Sequence, residues 1–214
     1  MADINSDDLL SMPFDRYQRF KAVADLLNTF RPSGLSVIDV GGDDGAFAKF
    51  ISGHSCLSVD KQSGVNGTNL PFPDKSFDAA VSIDVLEHVP QSERGVFIRE
   101  LLRVARHKVI IAAPFANSAE AEKVVFALTN NPWLREHIEL GLPKEEQMEA
   151  LFNQLGLNYN KHYNGNLASW IGMIILHHVF TGEQHKLLNG FFNRNFYHLE
   201  NRPPAYRTIY ELNL

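Results

Sequence analysis

The sequence has little cysteine, no long apolar run and no excess of positive charge, and each shortage argues against a class of protein. The single cysteine, Cys56, cannot form an internal disulfide, which is typical of reducing compartments and predicts a cytoplasmic location. The longest apolar stretch, residues 170–176, is too short to cross a bilayer. The formal net charge of −5 gives no general attraction to phosphate backbones, so we expect no DNA partner.

The N-terminus and the overall composition agree with a globular protein. Residues 1–8 are acidic and lack the basic start and apolar core of a secretion signal, so none is predicted. Hydrophobic residues make up 44% of the 214 residues and charged residues 21%. A chain of this length can bury one good core but would divide poorly into two, so we predict a single domain over 1–214.

The first half of the chain alternates between strand and helix patterns. Apolar residues recur at helical spacing between Tyr17 and Phe30, and Asn5 or Ser6 is the expected cap of that helix. Short buried strands are predicted at 35–40, 56–60, 77–83 and 108–113, with helices through Phe47 and Phe50 and over 92–105. This alternation indicates crossover units and a parallel sheet.

The second half is less regular and richer in aromatic residues. Helices are predicted at 118–129, 144–154, 167–180 and 184–197, and strands at 157–163 and 206–212. The Arg-Pro-Pro sequence at 202–204 interrupts the pattern before the last strand.

A glycine-rich turn follows the first predicted strand. Asp39 lies at the strand end, and Gly-Gly-Asp-Asp-Gly at 41–45 lets the backbone turn sharply and approach a ligand. Asp60 ends the next strand, where a carboxylate can accept two hydrogen bonds from a ribose diol. Taken alone, these features also fit an ordinary tight turn and an incidental surface acid.

Two further motifs decide between these interpretations. Leu-Pro-Phe-Pro-Asp-Lys-Ser-Phe-Asp occupies 70–78, and Leu-Glu-His-Val occupies 86–89. Together with the glycine turn and Asp60, this spacing resembles the class I S-adenosylmethionine-dependent methyltransferases of the UbiE/UbiG-like group (methyltransferase type 11). The resemblance covers roughly residues 35–115, and it identifies the cofactor better than the substrate.

The resemblance implies a Rossmann-like, doubly wound α/β fold. Its sheet would have seven strands, mostly parallel, with an antiparallel last strand at 206–212. The domain would divide into an N-terminal helical lid (1–34), a cofactor-binding core (35–163), a helical insertion or cap (164–202) and a terminal strand (203–214).

The resemblance also implies which residues contact S-adenosylmethionine. Asp39 would orient the methionine amino group, Asp60 would hold the ribose hydroxyls, and Asn66 would accept a hydrogen bond from the adenine amino group. The full implied set is Asp39, Gly41, Gly42, Asp60, Lys61, Asn66, Gly67 and Ile83. Asp43 stands where the family has its middle glycine, and Asp tolerates unusual backbone angles better than most residues. An NAD site is the nearest alternative, but the Gly-x-Gly-x-x-Gly spacing is missing.

The candidate catalytic residues follow the fourth strand of the implied fold. His88 is predicted to assist the acceptor, either as a base or as a ligand of a cation held with Asp84 and Glu87; helix capping and packing are the alternative. Asp-x-x-Glu-His resembles the Glu-x-x-Glu-His pattern that binds metal in some quinone-biosynthesis and small-RNA methyltransferases. A bound Mg²⁺ therefore stays an alternative. Leu-Glu-His-Val also occurs in metal-free relatives, so the sequence favours a site without a metal. His137 is the next candidate to face the substrate.

The sequence thus predicts an S-adenosylmethionine-dependent methyltransferase that acts on a small-molecule or glycan-like acceptor, with oxygen as the methylated atom. Two alternatives remain open, an inactive S-adenosylmethionine-binding module and a methyltransferase of protein or RNA. The aromatic insertion at 164–202 is expected to form an acceptor pocket, a homodimer surface or a shallow lipid contact.

Overall fold

A six-stranded sheet forms the centre of the computed structural model, which describes residues 6–214 and the side chains from residue 8 onward. The strand order is β2-β1-β3-β4-β6-β5. Strands β1 to β4 pair in parallel, and β6 runs antiparallel to both β4 and β5. The predicted parallel sheet with an antiparallel last strand is therefore confirmed. The strands are β1 (Ser36–Val40), β2 (Ser55–Val59), β3 (Phe77–Ile83), β4 (Ala105–Pro114), β5 (Asn158–Asn166) and β6 (Ala205–Asn213).

Eight α-helices are present within the described residues. They are α1 (Ser6–Leu10), α2 (Phe14–Phe30), α3 (Arg94–Val104), α4 (Ala119–Thr129), α5 (Pro132–Leu140), α6 (Glu145–Gln154), α7 (Leu167–Val179) and α8 (Gly182–Phe196). The helix expected after the glycine turn is a short 3-10 turn, Ala46–Phe50. None of the described helices has the length and apolarity that a bilayer span requires.

The seven-stranded sheet implied by the family resemblance is wrong for this chain, at least over residues 6–214. Each of the six strands predicted from the residues themselves is present. The missing strand would be an outer neighbour of β2, but residues 60–76, which connect β2 to β3, form tight turns and an isolated bridge between Asn66 and Asn69. A connection this short and rich in turns leaves no room for another crossover unit.

The N-terminal region contains two helices where the sequence predicts one. Pro13 precedes the first residue of α2, and a proline disfavours helical geometry in the residue before it. The chain therefore breaks between α1 and α2. Asn5, one of the two predicted caps, lies outside the described residues.

Both faces of the sheet are buried, which explains the continuous apolar runs of the strands. Alternate residues of a strand point to opposite faces. Val37 therefore packs with Val23 and Leu27 of α2, whereas Ile38 packs with Leu101 of α3. Helix α2 covers one face, and α3 and α6 cover the other.

A third apolar cluster lies beyond the end of β6. It joins α4, α5 and α7 to the start of that strand through Val125, Leu134, Trp170 and Tyr206. Because β6 runs antiparallel to β4, its start and this cluster lie beside the carboxyl ends of the parallel strands.

Candidate active site

A cavity of about 430 Å³ opens where β1 and β3 end. In doubly wound sheets, ligands bind at the carboxyl ends of the strands, where neighbouring connections diverge. Helix α2 contributes Arg16 and Arg19 to the walls, and α5 and α7 contribute Trp133 and Trp170. The cavity is large enough for a nucleoside-sized ligand.

Every residue predicted from the sequence to contact the cofactor lines this cavity. The lining residues of that set are Asp39, Gly41, Gly42, Asp60, Lys61, Asn66, Gly67 and Ile83. The predicted catalytic residues Asp84, Glu87 and His88 line it too. The structure thus brings together what the sequence spreads over fifty residues, while the role of each residue stays a prediction.

The turn after β1 tolerates only glycine at two positions. Gly41 has a φ of +88°, and a Cβ atom there would lie 2.9 Å from Cγ1 of Val85. A Cβ atom on Gly42 would lie 2.8 Å from the Cβ of Ser58 and would overlap the carboxylate of Asp39. These glycines therefore let the backbone pass close to Asp39 and hold the mouth of the cavity open.

Asp39 is the buried acid at the base of this turn. Its side chain is 2% exposed, and burial raises its pKa to about 7, with Ser58 and Arg19 acting in the opposite direction. A carboxyl group with this pKa is poised to lose its proton to a cationic ligand. The ammonium group of a bound amino acid would have that effect.

Asp43, at the position where the family has its middle glycine, lies in a backbone region that favours glycine. Its φ is +46°, in the left-handed region that Asp enters more readily than most residues. Its exposed side chain lies 4.0 Å from Arg16. The substitution therefore leaves the turn intact and places a second carboxylate at the rim.

Asp60 and Asn66 hold the loop that follows β2. Asp60 accepts a hydrogen bond from the backbone N–H of Ser63 (2.7 Å) through Oδ1, which leaves Oδ2 for a ligand. Asn66 Oδ1 accepts from both the N–H and the hydroxyl of Thr68, at 3.0 and 2.9 Å. The Asn66 carbonyl, expected to accept from adenine, is thus already engaged, and its amide has no hydrogen-bond partner among residues 6–214.

Gly67 has a packing role that the sequence did not reveal. A Cβ atom there would lie 2.5 Å from the ring of Phe97 on α3. The glycine therefore allows the loop after β2 to lie flat against that helix.

Asp84 is held by two arginines. Arg207 donates from Nε to Oδ1 and from Nη2 to Oδ2, each at 2.6 Å, and Arg19 also donates to Oδ2, at 2.9 Å. The sequence groups Asp84 with Glu87 and His88, but the structure occupies both of its oxygens with ion pairs. The acid therefore fixes the last strand to the end of β3 rather than offering a free ligand or base.

Asp15 of α2 completes this ion-pair network. Its carboxylate accepts from Arg207 (2.6 Å) and from Arg19 (2.9 Å), so two carboxylates face two guanidinium groups. Burial opposes the ionisation of Asp84, but the charges of Arg207 and Arg19 outweigh it and lower its pKa. Arg207 is only 1% exposed, so its charge depends on these partners.

Two histidines meet at the other side of the cavity. His88 Nε2 lies 3.3 Å from His137 Nε2. The opposite nitrogen of each ring faces a carboxylate: His88 Nδ1 lies 2.8 Å from Glu136, and His137 Nδ1 lies 2.9 Å from Glu122. Glu122 also accepts from the hydroxyl of Tyr206 at 2.7 Å. The histidine pair is therefore held in place from both ends.

Glu87 is the third polar group at this point. It is 1% exposed, and its Oε2 has no hydrogen-bond partner among the described residues. Burial and the neighbouring charge of Asp84 raise its pKa well above the ordinary value. One ligand atom from each of Glu87, His88 and His137 lies within 4.8 Å of the others. The role of the predicted trio Asp84, Glu87 and His88 stays a prediction.

Aromatic rings form the wall beyond the histidines. Trp170 stacks on Tyr206 with ring centroids 3.7 Å apart, and Trp133 packs against the ring of His88. Sequence reasoning did not single out Asp15, Arg19, Glu122, Trp170 or Arg207. Two signals were available: Trp170 lies in the aromatic insertion that was expected to form an acceptor pocket, and Arg207 lies at the entry to the last strand.

Residues 14–162, more than half of the chain, match the family of methyltransferase domains. The chain belongs to this family. The matched segment of the methyltransferase domain contains the glycine turn, Asp60 and the Glu87–His88 pair, and it ends before α7 and β6. The predicted cofactor residues thus lie within the matched segment, whereas Trp170 and Arg207 lie outside it.

Curated relatives of this methyltransferase domain are described as uncharacterized methyltransferases. One from Mycobacterium sp. strain KMS is 33% identical, with 47% of this chain and 44% of the relative covered. Another, from strain JLS, is 32% identical with the same coverage. The chain thus matches less than half the length of these relatives.

Solved structures show the same fold at low sequence identity. The plantazolicin methyltransferase, in complex with SAH, has a TM-score of 0.60 at 11% identity, covering 99% of this chain and 91% of its own. Magnesium protoporphyrin IX methyltransferase from Synechocystis, with bound SAH, has a TM-score of 0.54 at 14% identity (91% and 80% covered). YcgJ from Bacillus subtilis has a TM-score of 0.55 at 18% identity (90% and 97% covered).

Proposed function

We propose that this chain transfers the methyl group of S-adenosylmethionine to a hydroxyl of a small-molecule or glycan-like acceptor. The observation that carries this proposal is the assembly of all predicted cofactor residues in one cavity that also contains Glu87, His88 and His137. Methyl transfer from a sulfonium is an in-line displacement, so positioning the acceptor beside the methyl supplies much of the rate.

The cofactor would lie across the ends of β1, β2 and β3. Asp39 would bind the methionine amino group, because its carboxyl loses its proton readily to a nearby cation. Asp60 Oδ2 would accept from a ribose hydroxyl, and the free amide of Asn66 would donate to a ring nitrogen of adenine. Ile83, at the end of β3, would lie beside the sulfonium.

The acceptor would enter from the aromatic wall. Trp133, Trp170 and Tyr206 offer ring faces, and the histidine pair lies next to them. Apolar ring faces with a few convergent polar groups suit a sugar-like or other cyclic hydroxylated molecule. His88 would contact the reacting hydroxyl or hold a cation that does so.

The division of the domain follows from these roles. Residues 1–34 would act as the lid, 35–163 as the cofactor core, 164–202 as the cap that contributes Trp170, and 203–214 as the strand that contributes Arg207. Val179, Leu187 and Phe191 of the cap are exposed large hydrophobic residues, which supports a homodimer surface there.

Incubation of the full chain with methyl-labelled S-adenosylmethionine tests this function. Separate reactions would contain monosaccharides and nucleotide sugars, total RNA, or a denatured protein extract. We expect label in a sugar product that survives mild base, because a methyl ether resists the treatment that removes a methyl ester. Asp60→Ala should lower the rate at limiting cofactor, whereas Glu120→Ala, an exposed acid outside the cavity, should not.

The other outcomes discriminate between the alternatives. Label in RNA or protein alone would replace the acceptor proposed here. Binding of S-adenosylhomocysteine without transfer to any of these acceptors would favour the inactive binding module.

A further inference from the structure

We propose that Glu87, His88 and His137 bind one divalent transition-metal ion, with Zn²⁺ as the best match. Their ligand atoms converge on one point of the cavity, within 4.8 Å of each other. The sequence motif supplies only Glu87 and His88 of this set. His137 comes from α5, and Asp84, the expected third member, is paired with Arg207 and Arg19.

The first argument concerns the orientation of the two imidazole rings. Each Nδ1 faces a carboxylate oxygen, of Glu136 for His88 and of Glu122 for His137, at 2.8 and 2.9 Å. Glu122 already accepts the hydroxyl proton of Tyr206, so it acts as an acceptor. With each Nδ1 donating its proton to a carboxylate, both Nε2 atoms offer lone pairs, and these atoms lie 3.3 Å apart. Two lone pairs this close repel each other unless a proton or a metal ion lies between or beside them.

The second argument is the distance between those nitrogens. Zinc binds imidazole nitrogen at about 2.0–2.1 Å, and two such bonds at the tetrahedral angle separate the nitrogens by roughly 3.3 Å. The observed Nε2–Nε2 distance is 3.3 Å. The pair is thus already spaced as two ligands of one tetrahedral ion.

The third argument is the state of Glu87. This carboxylate is 1% exposed, lines the cavity, and keeps an oxygen with no partner among the described residues. A buried oxygen without a hydrogen bond is costly. A metal ion would satisfy it and complete a set of two imidazoles and one carboxylate.

The surroundings of the ligands agree with a metal centre. Histidines that bind metals usually donate their other N–H to a carboxylate, which fixes the ring and raises its basicity. Glu136 and Glu122 have that position here. Two nitrogen ligands favour Zn²⁺ over Mg²⁺, which prefers oxygen.

Three protein ligands leave a fourth position for the acceptor, and this part of the inference rests on the proposed function. An acceptor hydroxyl bound there would lose its proton to solvent more easily, since zinc lowers the pKa of bound oxygen. The oxygen lone pair would then form the new O–CH₃ bond. The S–CH₃ bond would break with its electron pair returning to sulfur, which leaves neutral S-adenosylhomocysteine.

Titration of the chelator-stripped full chain with Zn²⁺, Co²⁺ and Mg²⁺ tests the site without any acceptor. We expect one Zn²⁺ per chain and a visible absorption spectrum of tetrahedral Co²⁺, with Mg²⁺ much weaker. His88→Ala should weaken Zn²⁺ binding at least 100-fold, and Glu122→Gln should weaken it about 10- to 100-fold. Binding of S-adenosylhomocysteine, measured on each variant, shows that the protein is folded.

A second histidine pair provides the matched control. Nδ1 of His177 on α7 lies 2.5 Å from Nε2 of His185 on α8, but both residues lie outside the cavity. His185→Ala should therefore still bind one Zn²⁺ per chain. If the folded parent does not bind Zn²⁺, His88 and His137 share only a proton and the proposal is overturned. Zn²⁺ binding that survives His88→Ala or disappears with His185→Ala would overturn it as well. Methyl transfer that is unaffected by chelators would remove the catalytic part and leave the proposed function standing.

Discussion

The two sides of the cavity are built in different ways. On the cofactor side, Asp39, the glycines at 41 and 42, Asp60 and Asn66 come from one continuous stretch, and backbone geometry restricts the two glycine positions. On the opposite side, Arg19, His137, Trp170 and Arg207 come from α2, α5, α7 and β6, and side-chain pairing decides theirs. We propose that the first side binds S-adenosylmethionine and that the second side contacts the acceptor.

The difference has an energetic side. The cofactor loop depends on the absence of two side chains, so the substitutions that damage it are those that add atoms. The acceptor wall depends on ion pairs between carboxylates and arginines, so the substitutions that damage it are those that remove a charged partner.

The largest effect is expected at Arg207 on the acceptor wall. Arg207→Leu should destabilise the protein by up to about 3–5 kcal/mol, because it leaves the partly buried carboxylates of Asp84 and Asp15 with Arg19 alone. Urea denaturation measures this loss. Lys123→Ala, which removes the exposed pair with Glu120, is the control and should leave the midpoint unchanged. A loss no larger than that of the control would show that the network contributes little.

The next effect is expected at the glycine turn. Gly42→Ala would place a methyl group against Asp39 and Ser58, and overpacking of this kind costs about 1–3 kcal/mol. S-adenosylhomocysteine binding should fall at least tenfold in calorimetry. Gly172→Ala in α7 meets no atom within 4 Å, so it should bind like the parent and unfold no earlier. Equal affinities in both variants would mean that the turn does not contact the ligand.

These two changes also show how far the sequence could predict the structure. The Asp39–Gly41–Gly42 turn was predictable because a positive φ and close approach admit few residue types, and such rules act locally. Arg207 was not, because its role depends on Asp15 and Asp84, which lie far from it in the chain. The prediction of a seventh strand was wrong for a related reason, because it came from the family pattern and not from residues 60–76, which form turns here.

The pH dependence of cofactor binding should be a property of the cofactor side alone. Asp39 has a pKa raised to about 7, so it is protonated below that pH in the free protein. Binding an ammonium group requires the carboxylate and therefore releases a proton. S-adenosylhomocysteine affinity should fall as the pH drops below 7, by up to about tenfold per pH unit.

Asp39→Asn provides the comparison for this pH profile. Since it has no proton to lose, its affinity should be weaker at pH 8 and nearly constant between pH 5 and 8. Matching slopes for the parent and the variant would exclude Asp39 as the titrating group.

The smallest effect is expected at Asn66. Its carbonyl is occupied by Thr68, so the amide is the group left for adenine. Asn66→Asp would keep the bonds to Thr68 but lose that donor, and affinity should fall by about 0.5–1.5 kcal/mol. The family pattern instead predicts equal or better binding for the Asp variant. Calorimetry of this one substitution therefore decides which atom of residue 66 faces the ligand.

The most direct test of the account is calorimetric titration of the full chain with S-adenosylhomocysteine at pH 8, for the parent and for Asp60→Ala. We predict one site per chain in the parent and a loss of about 1–3 kcal/mol of binding free energy in the variant, the scale of charge-assisted hydrogen bonds to a ribose diol. Glu120→Ala should match the parent, because Glu120 is exposed and lies outside the cavity. A folded parent that binds no S-adenosylhomocysteine, or an Asp60→Ala variant that binds as tightly as the parent, would contradict the placement of the cofactor in this cavity.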